Sequence, residues 1–175
     1  MDPSELGRFE AAVLPHLSAA YRLARYLTRN DADADDVVQE SYLRALRHFG
    51  GFRGQGEVQG RAWVLSIVRN TAYSWRGRHR AEASAEEFDE AIHGEAGGEP
   101  ADAELARRDA RETLAQALDG LPPELREVIL LREIEGLSYK EIGDVVGVPI
   151  GTVMSRLSRA RTRLQGTLGP SGKER

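Results

Sequence analysis

Apolar residues along this chain recur at helical intervals. Leu17, Ala20, Tyr21, Ala24 and Leu27 fall three and four apart and predict one helix. Pro15, just ahead of them, lacks an N–H and clashes with the preceding turn, so the chain is expected to bend or restart there. A second helix is predicted to start within Asp31–Asp36, where carboxylates suit the helix dipole and cap free amides. Its inward positions are Ala34, Val37, Val38, Ser41, Ala45 and Phe49, and Gly50-Gly51 ends it. The Gly-rich stretch GGFRGQGEVQG reads as a loop. A third helix is expected from about Arg61 to Arg78, with Val64, Ile67, Val68, Thr71 and Trp75 on one side. Trp63 and Trp75 are expected in the core rather than as stacking platforms.

Helical spacing returns after residue 104. Leu114, Ala117 and Leu118 close one helix, and Leu121-Pro122-Pro123 interrupts the pattern. Proline suits the first turn of a helix, so the next is expected near Pro123, with Leu125, Val128, Ile129 and Ile134 facing inward and Gly136 ending it. Ser138-Tyr139-Lys140-Glu141 reads as a capping box for a short helix that buries Ile142, Val145 and Val146. Gly147-Val148-Pro149 turns the chain, and a final helix runs from about Ile150 to Gln165. There is no strand alternation and no internal repeat, so the expected fold is all-α.

Composition divides the chain. Residues 81–104 hold nine acids, no Lys or Arg, and a Gly-Gly-Glu-Pro run, as a flexible acidic linker would. Two small helical domains are therefore expected, at residues 1–80 and 105–170. The formal net charge of −4 gives no hint of nucleic acid, whereas the charge distribution does. Absence of cysteine excludes disulfides and thiolate metal sites within the chain, and His16, His48, His79 and His93 are too scattered to suggest a metal. Asp31, Asp33, Asp35 and Asp36 lack the spaced ligands and glycine of a calcium loop and are read as capping residues. No cofactor is expected, and the absence of a phosphate loop or catalytic constellation argues against an enzyme. The N-terminus has no signal-peptide pattern and no apolar run of about eighteen residues occurs, so a cytoplasmic protein with no membrane insertion is expected.

The strongest motif is the short helix, Gly turn and final helix, which matches a helix-turn-helix in spacing and turn chemistry. On the final helix Val153, Leu157, Ala160 and Leu164 fall on one side, and Thr152, Ser155, Arg156, Arg159 and Arg163 on the other. Between Val145 and Lys173 there is no acid, while Arg156, Arg159, Arg161, Arg163 and Lys173 are basic. Guanidinium groups on such a face neutralise phosphates and bond guanine edges. The bland alternative is an amphipathic helix with a solvated arginine face.

The string LPPELREVILLREIEGLSYKEIGDVVGVPIGTVMSRLSRARTRL resembles region 4 of extracytoplasmic-function sigma factors. DADADDVVQESYLRALRHFGGFR and RAWVLSIVRNTAYSWRGRHR resemble the early and later parts of region 2, in the family's order. The resemblance implies binding to core RNA polymerase, through its beta-prime clamp helices and beta flap, and to promoter DNA. It also implies control by an anti-sigma factor. Asp36, Gln39, Glu40, Leu43, Arg44 and Arg47 would dock on the clamp helices. Asn70, with His48 and Phe52, would line a pocket for a flipped base of the −10 element, and Arg69, Arg76, Arg78 and Arg80 would hold that strand's backbone. Thr152, Met154, Ser155, Arg156, Arg159, Arg161 and Arg163 would meet the −35 duplex. Met154 departs from the family pattern, where many relatives carry Lys or Arg, and could instead touch a thymine methyl. The acidic linker would thread toward the polymerase active-site channel as a nucleic-acid mimic, or serve only as a spacer. Two rival readings stay open from sequence: a stand-alone operator-binding regulator, and a helical adaptor that binds only protein.

Overall fold

The computed structural model describes residues 2–54, 56–79 and 101–169. Among the described residues there are eight α-helices and no strand, as the spacing of apolar positions predicted. The N-terminal group comprises α1 (Pro3–Val13), α2 (Leu17–Thr28), α3 (Asp31–His48) and α4 (Gly56–His79). The C-terminal group comprises α5 (Ala101–Asp119), α6 (Pro123–Glu133), α7 (Tyr139–Val146) and α8 (Ile150–Leu168). Most of the expected linker lies outside the described residues; α5 begins at Ala101, earlier than the periodicity suggested.

Local chemistry explains most boundaries. Pro15 sits in a 3₁₀ turn, Leu14–His16, that breaks α1 from α2. Arg29, in the left-handed region at φ 61°, ends α2. The N-cap of α3 is Asn30, whose side chain accepts from the Asp33 amide at 2.9 Å, so the aspartates fill the first turn rather than supply the cap. The Gly-rich loop is shorter than expected. Helix α4 starts at Gly56 and takes Gly60 into its interior, because α1 lies against it there: a Cβ on Gly60 would stand 3.0 Å from the Ala12 carbonyl carbon. In the C-terminal group the capping box forms as predicted. The Glu141 amide donates to Ser138 Oγ at 3.2 Å, and the Ser138 amide donates to Glu141 Oε2 at 2.7 Å. Gly147, at φ 72°, supplies the left-handed residue that turns α7 into α8.

The two groups pack on each other, α7 against α4 and α6 against α2, and their buried apolar residues form one continuous cluster. Ala34, Val37, Val38, Ser41, Ala45 and Phe49 of the first group are buried as expected, as are Val153, Leu157 and Ala160 of α8. Two expected core residues are not in the core. Leu17 is 51% exposed at the start of α2. Ile134 is 42% exposed, because α6 ends at Glu133 and Leu137 takes the inward place instead. Trp63 and Trp75 are half-buried against the cluster, as expected of core residues.

Candidate functional surfaces

Three surfaces can be built from the residues upward. On α3, residues 36, 40, 43, 44 and 47 fall close to one side of the helix because they are separated by three, four or one positions. Asp36, Gln39, Leu43 and Arg47 are exposed, Leu43 at 54%, while Glu40 and Arg44 are half-buried. Glu40 is shared: one carboxylate oxygen accepts from Arg44, and the other accepts from Arg78 of α4 at 3.2 Å. The face thus carries a protruding leucine beside ordered, opposed charges, a form suited to a partner helix.

On α4, Asn70 is exposed and His48 is exposed at the end of α3. Phe52 behaves differently. Its ring is 8% exposed, stacked on Phe49 at 5.6 Å and packed on Trp63 at 4.7 Å between centroids. It therefore faces protein rather than a base, and together with Trp63 it fixes the end of α3 against α4. Arg69 is half-buried and turned toward the C-terminal group, where Nε and Nη2 reach the two oxygens of Glu127. Arg76 is half-buried, Arg78 is exposed and paired with Glu40, and Arg80 lies outside the described residues.

On α8, the apolar seam is buried and the opposite face is open. Met154 is 53% exposed and Ile150 46%. Ser155, Arg159, Arg161 and Arg163 are exposed, and Thr152 and Arg156 are half-buried. Ser155 Oγ donates to the Thr152 carbonyl at 3.0 Å, and Arg159 Nε donates to the Ser155 carbonyl at 3.3 Å, so these side chains lie along the helix. Arg161 is set apart: it pairs with Glu133 of α6 at 2.9 Å, and this bond holds its guanidinium protonated beyond its ordinary range.

Periodicity gave no sign of two residues with unusual surroundings. Glu127 is 1% exposed and Glu135 6%. Glu127 accepts from Arg69 and from the Tyr73 hydroxyl at 3.0 Å. Burial, then the nearby Glu127 charge, pushes the Tyr73 phenol up to about 12. Glu135 accepts a two-pronged bond from Arg22, at 2.7 and 2.8 Å, and lies 3.5 Å from Arg61. In the sequence Glu127 directly precedes the apolar run Val128–Leu131, and Glu135 follows it after Arg132, Glu133 and Ile134.

Known proteins settle which family these surfaces serve. The family model described as sigma-70 region 2 matches residues 12–82, and sigma-70 region 4 matches residues 111–164. The RNA polymerase sigma-H factor of Pseudomonas aeruginosa is 34% identical over 95% of this chain and 89% of its own length. This chain belongs to the sigma-70 family. Within that family it is an extracytoplasmic-function (ECF) sigma factor, a transcription initiation factor and not an enzyme: the ECF RNA polymerase sigma-E factor of Haemophilus influenzae is 34% identical over 85% of the chain and 80% of its own length, and the ECF sigma factor SigE of Mycolicibacterium smegmatis is 36% identical over 99% of the chain, which spans 66% of that relative's length. The fold agrees. A co-crystal structure of the sigma factor RpoE with the anti-sigma factor NepR from Bartonella quintana superposes with a TM-score of 0.71 at 31% identity, covering 91% of this chain and 95% of that one. The presence of both sigma regions in one chain disfavours the stand-alone operator-binding reading. Among the described residues of this sigma factor, no helix is long and apolar enough to cross a membrane.

Proposed function

We propose that this sigma factor works in the cytoplasm, carries core RNA polymerase to its promoters and opens them by holding two DNA elements at once. The observation that carries the reading is the face of α8, where Arg156, Arg159 and Arg163 share an acid-free helix with Thr152 and Ser155 while Val153, Leu157 and Ala160 anchor it. That face enters the major groove of the −35 duplex, with arginines on phosphates and guanine edges. Helix α3 docks on the beta-prime clamp helices through Gln39, Leu43 and their neighbours, and the C-terminal group meets the beta flap. Asn70, with His48, reads an extruded −10 base, and Arg69, Arg76, Arg78 and Arg80 grip the strand. Phe52 packs with Phe49 and Trp63 in the aromatic cluster at the end of α3. Captured single-strand bases release binding free energy only after the duplex separates, so the melted state is favoured without bond chemistry. The polymerase, by holding both groups, raises the effective concentration of the second contact. An anti-sigma factor silences the protein, as the NepR complex of the related RpoE suggests.

Run-off transcription with core polymerase on a promoter library tests this directly. The expected result is transcripts from templates sharing two spaced elements. Arg156→Ala with Arg159→Ala should weaken promoter binding and reduce its dependence on salt. A protein that neither associates with core polymerase nor starts transcription at any template would overturn the reading.

A further inference from the structure

Arg29, at the end of α2, and Arg126, on α6, share one carboxylate. Arg29 pairs with Asp119 Oδ1, and Arg126 Nη1 stands 3.9 Å from the same oxygen, too far for a hydrogen bond. Arg126 is pinned in place. Its Nε donates to the Leu118 carbonyl at 2.9 Å, and its Nη2 donates to the carbonyls of Asp119 and Leu121 at 2.6 and 3.0 Å. Arg76 of α4 is a third cation in the cluster. Burial, then repulsion from Arg29, brings the Arg126 guanidinium below its ordinary range, and Arg76 repels it as well. Among the described residues Arg76 has no ion-pair partner. The next acid, Glu127, is already taken by Arg69 and Tyr73. Three guanidinium groups, drawn from both halves of the protein, are thus gathered around a single carboxylate. Closing the end of α5 accounts for Arg126 alone. It leaves unexplained why α2 and α4 bring two further cations to a half-buried position, where unbalanced charge is costly.

We propose that Arg29, Arg76 and Arg126 form a binding site for a small multivalent phosphate anion, a free diphosphate or the diphosphate end of a nucleotide, at the junction of α2, α4 and α6. A guanidinium plane bonds two phosphate oxygens at once, so two or three such groups satisfy both phosphoryl groups of a diphosphate. The surplus of positive charge over Asp119 matches a multivalent anion better than a singly charged one. Arg29 is 35% exposed and Arg126 15%, which admits a compact group but not a polymer strand laid along α4. The donors come from both groups of helices. Binding therefore ties the two together and adds to the stability of the folded chain by mass action. The site stands independently of the DNA contacts proposed above, with Arg76 alone common to both.

Isothermal titration of the full-length protein with sodium pyrophosphate, at constant ionic strength, tests the site. Four variants are compared with the parent. Arg76→Gln removes a half-buried cation that has no ion pair to lose. Arg29 lies at φ 61°, where glycine is at ease, so Arg29→Gly removes a guanidinium without straining the chain. Each should weaken pyrophosphate binding by about tenfold or more, the worth of one hydrogen bond to a charged group. Asp119→Asn works in the opposite direction. It removes the competing carboxylate while Arg126 stays held by its three carbonyls, and it should tighten binding by about threefold, as expected of a part-exposed charge. Arg111→Gln removes an exposed charge two turns before Asp119 on α5 and should bind as the parent does. Pyrophosphate should also raise the melting temperature of the parent and do so less in Arg76→Gln and Arg29→Gly. Absence of binding to the parent at millimolar pyrophosphate overturns the proposal. So does equal weakening by Arg111→Gln, which would mean general attraction to a basic surface, and so does a loss of affinity in Asp119→Asn. An oligothymidylate added to the titration separates the two sources of a phosphate group: undiminished pyrophosphate binding supports the small-molecule site, and displacement by the strand refutes it.

Discussion

Two glycines on α4 offer a measurement of how tightly α1 is pressed against the helix that carries Arg69 and Asn70. A Cβ on Gly60 would meet the Ala12 carbonyl group, 3.0 Å from its carbon and 3.2 Å from Cα, with the oxygen nearer still. Non-bonded heavy atoms settle at about 3.5–4.0 Å, and the carbonyl oxygen is the nearest atom, so α1 must retreat by roughly one ångström or more for Gly60→Ala to fit. The obstacle is backbone and has no rotamer to yield. Overpacking of this kind costs about 1–3 kcal/mol, and the upper half applies here. Against it stands about 1 kcal/mol from replacing glycine by alanine in a helix interior. The net expectation is destabilisation by about 1–2 kcal/mol. Gly77 provides the control: it is on the same helix with nothing within 4 Å of its added Cβ, so Gly77→Ala should stabilise by about 0.5–1 kcal/mol. Urea unfolding followed by circular dichroism reads both variants. Equal shifts, or a stabilised Gly60→Ala, would refute the close approach of α1 and α4.

Other expectations follow from single side chains. Met154 and Ile150 are the exposed apolar residues at the start of α8, and contact with a thymine methyl should make holoenzyme affinity sensitive to uracil in place of thymine in the −35 element. One buried methyl is worth about 0.8 kcal/mol, or roughly fourfold in affinity; Met154→Ala should erase the difference, and an undiminished uracil penalty in that variant counts against the contact. Stability should also fall in alkali. Burial pushes the Tyr42 phenol up to about 12, and burial with the Glu127 charge does the same for Tyr73, both from an ordinary value of 10.0. The unfolded chain therefore gives up these protons before the folded one, so the stabilisation is complete below pH 10 and is lost as pH rises through about 12. Tyr42→Phe and Tyr73→Phe should flatten the decline of the urea midpoint over that window, and an unchanged slope would contradict the burial of both phenols.

What the sequence made legible was local. The capping box at Ser138 and Glu141 and the left-handed Gly147 are set by neighbours three or four residues away, and spacing alone identified them. The buried seam of Val153, Leu157 and Ala160 followed from period, since a helix repeats its faces regardless of what it packs on. Misreadings arose where a distant segment decides. Gly60 looked like loop because glycine disfavours helix, yet a helix with no side chain at that point is what α1 requires. Phe52 looked available for stacking until Phe49 and Trp63 closed over it. Glu127 and Glu135 drew no reading from the sequence, because their partners stand 58 and 113 residues away and no pattern within a helix announces such a pairing.

On the roles proposed above, Gln39, Leu43 and Arg47 of α3 are exposed for docking, while the ion pairs between the two groups engage α2 and α4 instead. Glu40 joins Arg44, on the face proposed for docking, to Arg78 of α4, proposed to hold the strand. On the proposed roles, a clamp residue that recruits Glu40 releases Arg78 toward DNA at the same moment, whereas one that recruits Arg44 alone leaves the Glu40–Arg78 pair in place. Docking and DNA affinity are then coupled through one carboxylate, and the coupling must act equally in both directions: DNA held by Arg78 should tighten the grip of α3 on the polymerase.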